Sequence, residues 1–200
     1  MRGKLITFEG IDGSGKTTAL RRVAREFERL GIPYVATCEP GGTDLGAAIR
    51  ELVLVREMES LSELFLYAAD RAEHVRRVIR PALAEGRVVL SDRYADATLA
   101  YQGYGRGLPL DLVHAVNRWA TEGVWPDLTI VLDCAVEIAL ARKGWNVDRF
   151  EQSDFLERVR RGYAEIARAE PKRVRVISSE GPEDVTARRV WEVVASLLRT

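Results

Sequence analysis

Leu5–Thr18, LITFEGIDGSGKTT, is the stretch from which the fold can be read. Leu5, Ile6, Thr7 and Phe8 form a short apolar, partly β-branched run suited to a buried strand. The glycine-rich turn after it ends in Lys16-Thr17-Thr18, at the head of a helical pattern. Gly10, Gly15, Lys16 and Thr17 complete the spacing G-x-x-x-x-G-K-[ST]. Glycines let the backbone curl so that N–H groups along Gly10, Ile11, Asp12, Gly13, Ser14, Gly15, Lys16, Thr17 and Thr18 can converge on a phosphate, and the following helix adds its positive end. Lys16 can then reach the outer phosphates, and the Thr17 hydroxyl can meet Mg²⁺.

Outward from this loop, strand and helix patterns alternate. A helix is expected over Lys16–Leu30, with Val23, Phe27 and Leu30 on one face and a stop at Gly31 before Pro33. Short strands are expected at Tyr34–Thr37, Val88–Leu90, Leu128–Leu132 and Val174–Ile177. Helices are expected over Leu45–Val53, Leu110–Thr121, Ala135–Arg142, Asp154–Glu170 and Pro182–Leu198. Ser60-Leu61-Ser62-Glu63 reads as a capping box opening a long helix toward Glu85 and Gly86, with Pro81 as a kink point. Cys38–Thr43 reads as an irregular loop because Pro40 and two glycines interrupt both patterns. Alternation of this kind makes a parallel sheet covered on both faces, with ligands beyond the carboxyl ends of its strands.

Two hundred residues can bury one substantial core, so a single domain over 1–200 is expected. Thirty basic and thirty acidic side chains balance, giving no overall field for nucleic acid or an acidic membrane. Local arginines must therefore carry anion recognition. Cys38 and Cys134 are too few for a disulfide framework and lack metal-ligand spacing. The chain enters its first strand without a charged-then-apolar leader and has no bilayer-length apolar run, so a soluble cytoplasmic protein is expected.

The sheet rule sorts the polar residues. Glu39, Asp92 and Arg93 follow strands, as the phosphate loop does, and should meet it at one edge. Asp92 can hold the metal or cap a helix. Arg93 offers a planar fork to a phosphate. His74 and His114 read as ordinary helix residues rather than catalytic bases.

FEGIDGSGKTT, the EPGGT loop at Glu39–Thr43, LFLYAADR at Leu64–Arg71, DRY at Asp92–Tyr94, AYQG at Ala100–Gly103 and DRFE at Asp148–Glu151 together resemble the thymidylate kinase family, in that family's order over nearly the whole chain. The resemblance implies an α/β, three-layer P-loop NTPase fold whose five-stranded parallel sheet runs 2-3-1-4-5. It also implies transfer of the ATP γ-phosphate to dTMP, giving dTDP and ADP on the way to dTTP, with Mg²⁺ and a homodimer. By similarity, Asp12 meets the acceptor sugar's 3′-hydroxyl, and Arg50 and Arg93 grip the acceptor phosphate beside Glu39 and Pro40. Tyr67 takes the place of an aromatic that stacks on thymine, Arg71 donates to a base carbonyl, Thr98 and Gln102 meet the base edge, and Tyr101 crowds the sugar's 2′ position. From pattern alone, Tyr67 reads sooner as a core aromatic and Arg50 as a solvated helix residue; the resemblance is what raises both.

Members with glycine at the position of Gly13 carry the catalytic arginine in a lid, here expected around 142–151 with Arg142 and Arg149 as candidates. Lys16, Arg93, Asp92 and these arginines form the expected catalytic set, and Thr17 and Asp92 the expected metal ligands. Cys38 departs from the arginine that relatives often carry before the loop. A kinase for another nucleoside or nucleotide would keep the phosphate machinery and change the base pocket. A nucleotide-dependent switch ATPase would need neither the two arginine-bearing acceptor stretches nor a lid.

Overall fold

The computed structural model describes residues 3–144 and 150–199. Its elements run β1 (Leu5–Glu9), α1 (Lys16–Leu30), β2 (Tyr34–Cys38), α2 (Asp44–Val55) and α3 (Ser60–His74). A π-helical turn at Val75–Ile79 leads into α4 (Arg80–Ala84), followed by β3 (Val88–Asp92) and α5 (Ala95–Thr98). A second π-helical segment, Leu99–Gly105, precedes α6 (Leu110–Thr121), β4 (Leu128–Asp133), α7 (Val136–Lys143), α8 (Phe150–Ala169), β5 (Val174–Ser178) and α9 (Glu183–Leu198). The strands pair in parallel in the order β2-β3-β1-β4-β5, as expected.

Successive side chains of a strand point to opposite faces, and β1 shows what each face buries. Ile6 and Phe8 join Val23 and Phe27 of α1 and Val190 and Val194 of α9 in one apolar cluster. Leu5 packs on the other face with Val75, Ile79 and Val89. Thr7 and Glu9 are buried as well, and as polar groups they need partners there. Thr7 pairs with the Thr129 hydroxyl at 2.9 Å. Glu9 is met by the Tyr163 hydroxyl and the Tyr94 amide.

The structure corrects three local expectations and shows the form that the interruption near Pro81 takes. Leu30 is exposed, because Gly31 adopts a left-handed φ of 66° and turns the chain so that Ile32 packs on the core instead. Ser60 is already helical, Glu59 is the N-cap, and no side chain caps that end. Glu63 turns instead to Gln102 and Arg106. The long helix opens into π geometry just before Pro81, a residue with no N–H for the carbonyl four positions back. Finally, α8 starts at Phe150, earlier than periodicity implies.

The sequence reading assigns no element between Tyr94 and Pro109, yet this stretch is helical from Ala95 to Gly105. Its glycines are there for contact. A Cβ on Gly105 would stand 2.8 Å from Phe155 and Val159 of α8, and one on Gly103 the same distance from Leu110. Close packing against α8 and α6 overrides the weak local propensity.

Candidate active site

Glu39, Asp92, Arg93 and the loop after β1 lie at the carboxyl ends of neighbouring strands, where the sheet rule puts them. The Glu39 amide donates to Asp92 O, and the Arg93 amide to Phe8 O, both at 3.0 Å, so strand pairing itself sets their spacing. Arg93 holds a left-handed φ of 73°, uncommon for a residue with a side chain. Its guanidinium packs 4.7 Å from the Tyr101 ring centre and donates from Nη2 to Asp12 Oδ1 at 2.6 Å and to the Tyr101 hydroxyl at 3.1 Å.

In the phosphate loop, Lys16 Nζ donates to Ile11 O at 2.9 Å and stands 3.8 Å from Asp12 Oδ1. Burial, assisted by the Arg93 charge, pushes its pKa down to about 8 against the pull of Asp12, Asp92 and Glu9. Burial acts to raise Asp12, but the Arg93 and Lys16 charges outweigh it and hold its carboxyl below the ordinary value. Asp12 thus sits between the loop lysine and the arginine after β3. The Thr17 hydroxyl donates to Asp92 Oδ2 at 2.5 Å. The helix-cap reading of Asp92 falls, because Tyr94 occupies the N-cap position of α5 and no side chain caps it.

Gly13 explains why the loop carries no second cation. Its φ is 85°, and a Cβ there would lie 2.2 Å from the Ala139 carbonyl of α7. No side chain fits without moving α7.

One cavity is lined by all ten residues expected at the acceptor: Asp12, Glu39, Pro40, Arg50, Tyr67, Arg71, Arg93, Thr98, Tyr101 and Gln102. Arg50, although open to solvent, reaches it and donates to Pro40 O at 2.9 Å. Tyr67 is partly exposed on the wall rather than a core aromatic. Arg71 is almost wholly buried and held on three sides, donating to Glu39 Oε2 at 2.9 Å, Asn117 Oδ1 at 2.9 Å and Tyr94 O at 3.1 Å. Glu39 also pairs with His74 Nδ1 at 2.8 Å, and His74 Nε2 meets the Thr37 hydroxyl at 2.7 Å. His74 is therefore a buried link behind the cavity, more than an ordinary helix residue, while His114 is exposed on α6.

A second cavity opens on the other side of the loop, between Ser14, Gly15, Thr18, Ser179 and Thr186. Arg142 lines it, donating from Nη2 to Ser179 O at 2.6 Å, and does not join Arg93 and Asp12. Arg149, with residues 145–149 of the expected lid, lies outside the described residues.

Sequence reasoning gave no role to Glu9, Tyr163 or Asn117. The Tyr163 hydroxyl donates to Glu9 Oε2 at 2.9 Å and stands 3.5 Å from Arg93 Nη1. Burial, followed by the Asp96 charge, pushes the Glu9 carboxyl up to about 8. The available signal was a glutamate at the end of an apolar strand, a position that demands a partner.

Residues 8–190 match the family model described as thymidylate kinase. A thymidylate kinase of Synechococcus sp. strain JA-3-3Ab is 50% identical over 192 residues, covering 94% of each chain. One from Pelotomaculum thermopropionicum is 46% identical over 206 residues, 99% of this chain and 95% of that one. The crystal structure of thymidylate kinase from Ehrlichia chaffeensis superposes with a TM-score of 0.84 at 34% identity, over 97% of this chain and 100% of its own.

Proposed function

The chain belongs to the thymidylate kinase family and phosphorylates dTMP with ATP, and from that premise we propose how its residues divide the work. The cavity with Tyr67, Arg71, Thr98 and Gln102 takes dTMP, and the cavity with Ser14, Thr18 and Arg142 takes the nucleoside end of ATP. The observation that carries this division is the place of Asp12, 2.6 Å from Arg93 on the acceptor side and 3.8 Å from Lys16 on the donor side. Two polyanions brought in from opposite sides meet there.

Phosphoryl transfer between two phosphates needs alignment and charge neutralisation more than a base, because the acceptor oxygen is already nucleophilic. That oxygen bonds to the γ-phosphorus as the bond to the bridging oxygen of ADP breaks. Lys16 and the loop amides hold the donor phosphates. Arg93, with Arg50, holds the acceptor phosphate as a guanidinium fork. Asp12, released from part of its hold on Arg93, meets the acceptor 3′-hydroxyl. Glu39 positions Arg71 against the base, and the Tyr101 ring fills the 2′ side of the sugar. The Ser14 hydroxyl, buried without a partner among the described residues, is a further donor for phosphate oxygens. Arg142 serves the ATP side, and charge at the transferred group falls to Lys16, Arg93 and the expected lid arginine Arg149 in a lid over 142–151.

The Thr17 hydroxyl and Asp92 carboxylate, 2.5 Å apart, are hard oxygen donors of the kind Mg²⁺ prefers. Among the described residues no group of three or more His, Cys, Asp or Glu could hold an ion unaided, so phosphate and water would complete the shell. Mg²⁺ bound there would neutralise phosphate charge.

Six of the ten large apolar side chains exposed among the described residues lie on α2 and α3: Leu45, Leu52, Leu54, Val55, Leu61 and Phe65. Their concentration supports the homodimer that the family resemblance implies, and sedimentation would show a monomer if that reading fails. Among the described residues no helix is long and apolar enough to cross a membrane, and a cytoplasmic setting fits the two free cysteines. ADP release across a panel of nucleoside monophosphates tests the acceptor assignment. dTMP should be the fastest substrate, and a purine monophosphate turning over faster would refute it.

A further inference from the structure

Gln102 stands on the wall of the acceptor cavity, and a glutamine side chain can present either a donor or an acceptor to a base. Which end faces the base is decided behind it. Gln102 Nε2 donates to Glu63 Oε1 at 2.6 Å, across 39 residues of sequence. Glu63 is itself held, since Arg106 Nη2 donates to its Oε2 at 2.9 Å. The Arg106 guanidinium in turn lies 4.9 Å from the centre of the Phe155 ring on α8. An ionised carboxylate only accepts, so the amide nitrogen must turn toward Glu63 and the amide oxygen away from it. Gln102 Oε1 accepts no hydrogen bond from the described residues, yet it is not among the fully enclosed unpartnered atoms.

We infer that Glu63, anchored by Arg106, is a positioning residue that locks Gln102 as a hydrogen-bond acceptor and so selects bases carrying an N3–H. Thymine offers N3–H beside the O4 acceptor, which complements the Gln102 oxygen beside the Arg71 guanidinium. Cytosine reverses both, placing acceptor against acceptor and donor against donor. With the glutamine free to turn, cytosine would meet its amide nitrogen, and much of that penalty would vanish. The inference rests on the acceptor assignment made above.

The test compares kcat/KM for dTMP with that for 5-methyl-dCMP, which keeps the methyl group and changes only the hydrogen-bonding edge. Glu63→Gln should lower the dTMP preference at least about tenfold, the scale of one buried mismatched polar contact, with KM for ATP little changed. In a Gln102→Met background the same change should leave the preference unaltered, whereas a merely structural role would persist. Arg106→Gln, at a surface-facing residue, carries the test if Glu63→Gln does not fold, and should lower the preference about threefold. An unchanged preference in the folded variant, or an equal fall without Gln102, overturns the inference. Turnover of dTMP by the unmodified protein is read in the same assay, so failure of the acceptor assignment is seen separately.

Discussion

Arg93 Nη2 donates to Asp12 Oδ1 at 2.6 Å, tying the turn after β3 to the phosphate loop after β1. Arg93 also lies against the Tyr101 ring and within reach of the Tyr163 hydroxyl, so its planar fork is oriented before any ligand arrives. Arg93→Lys keeps the charge and loses that geometry. KM for dTMP should rise at least about tenfold while KM for ATP stays within about twofold. Steady-state kinetics with each substrate varied would reveal the opposite pattern if Arg93 served the donor.

Lys16 gives a pH signature. Burial and the Arg93 charge set its pKa near 8 rather than 10.5, so the free protein loses the lysine charge as pH rises through that value. The kcat/KM for ATP should then decline above this point by roughly tenfold per pH unit. A profile that stays flat into the ordinary lysine range would remove Lys16 from donor binding.

Glu9 governs a different pH effect. Its carboxyl keeps its proton up to about 8 in the folded chain but releases it near 4.5 when unfolded. Between these values the native state binds more protons, so this group's contribution to stability falls as pH rises, by up to about 1.4 kcal/mol per unit. Glu9→Gln should remove that slope in urea titrations repeated across the window. Parallel curves for the two proteins would show that Glu9 titrates normally.

Arg142 tests the division into two cavities. Its bond to Ser179 O places it in the second cavity, the one proposed for ATP, so Arg142→Ala should raise KM for ATP several-fold and leave KM for dTMP unchanged. A loss of about a hundredfold in kcat at saturating ATP would instead put Arg142 at the transferred phosphate.

What could be read from the sequence follows from the range of each signal. The phosphate loop is legible because Gly10, Gly15, Lys16 and Thr17 act within one strand–turn–helix unit. The sheet order was legible through a family pattern spread along the chain, and the same pattern picked out ten residues that line one cavity. Missed features depend on distant partners. Glu9 meets Tyr163 across 154 residues, and periodicity carries no trace of that pairing. The apparent capping box failed for the same reason, since Glu63 is drawn to Gln102 and Arg106 rather than to its own helix end. The helical stretch 95–105 was hidden because its glycines make room for α8 and α6, a packing requirement that local propensity reads as a break.

The most direct test of two nucleotides meeting between Lys16 and Arg93 is a crystal structure with adenosine and thymidine joined through a polyphosphate chain. Thymine should lie beside Tyr67 with its N3–H toward Gln102, the phosphates should span from Lys16 to Arg93, and adenosine should occupy the cavity of Arg142. Thymine bound outside the Tyr67 cavity, or a phosphate chain that leaves Arg93 without a phosphate contact, would contradict the account.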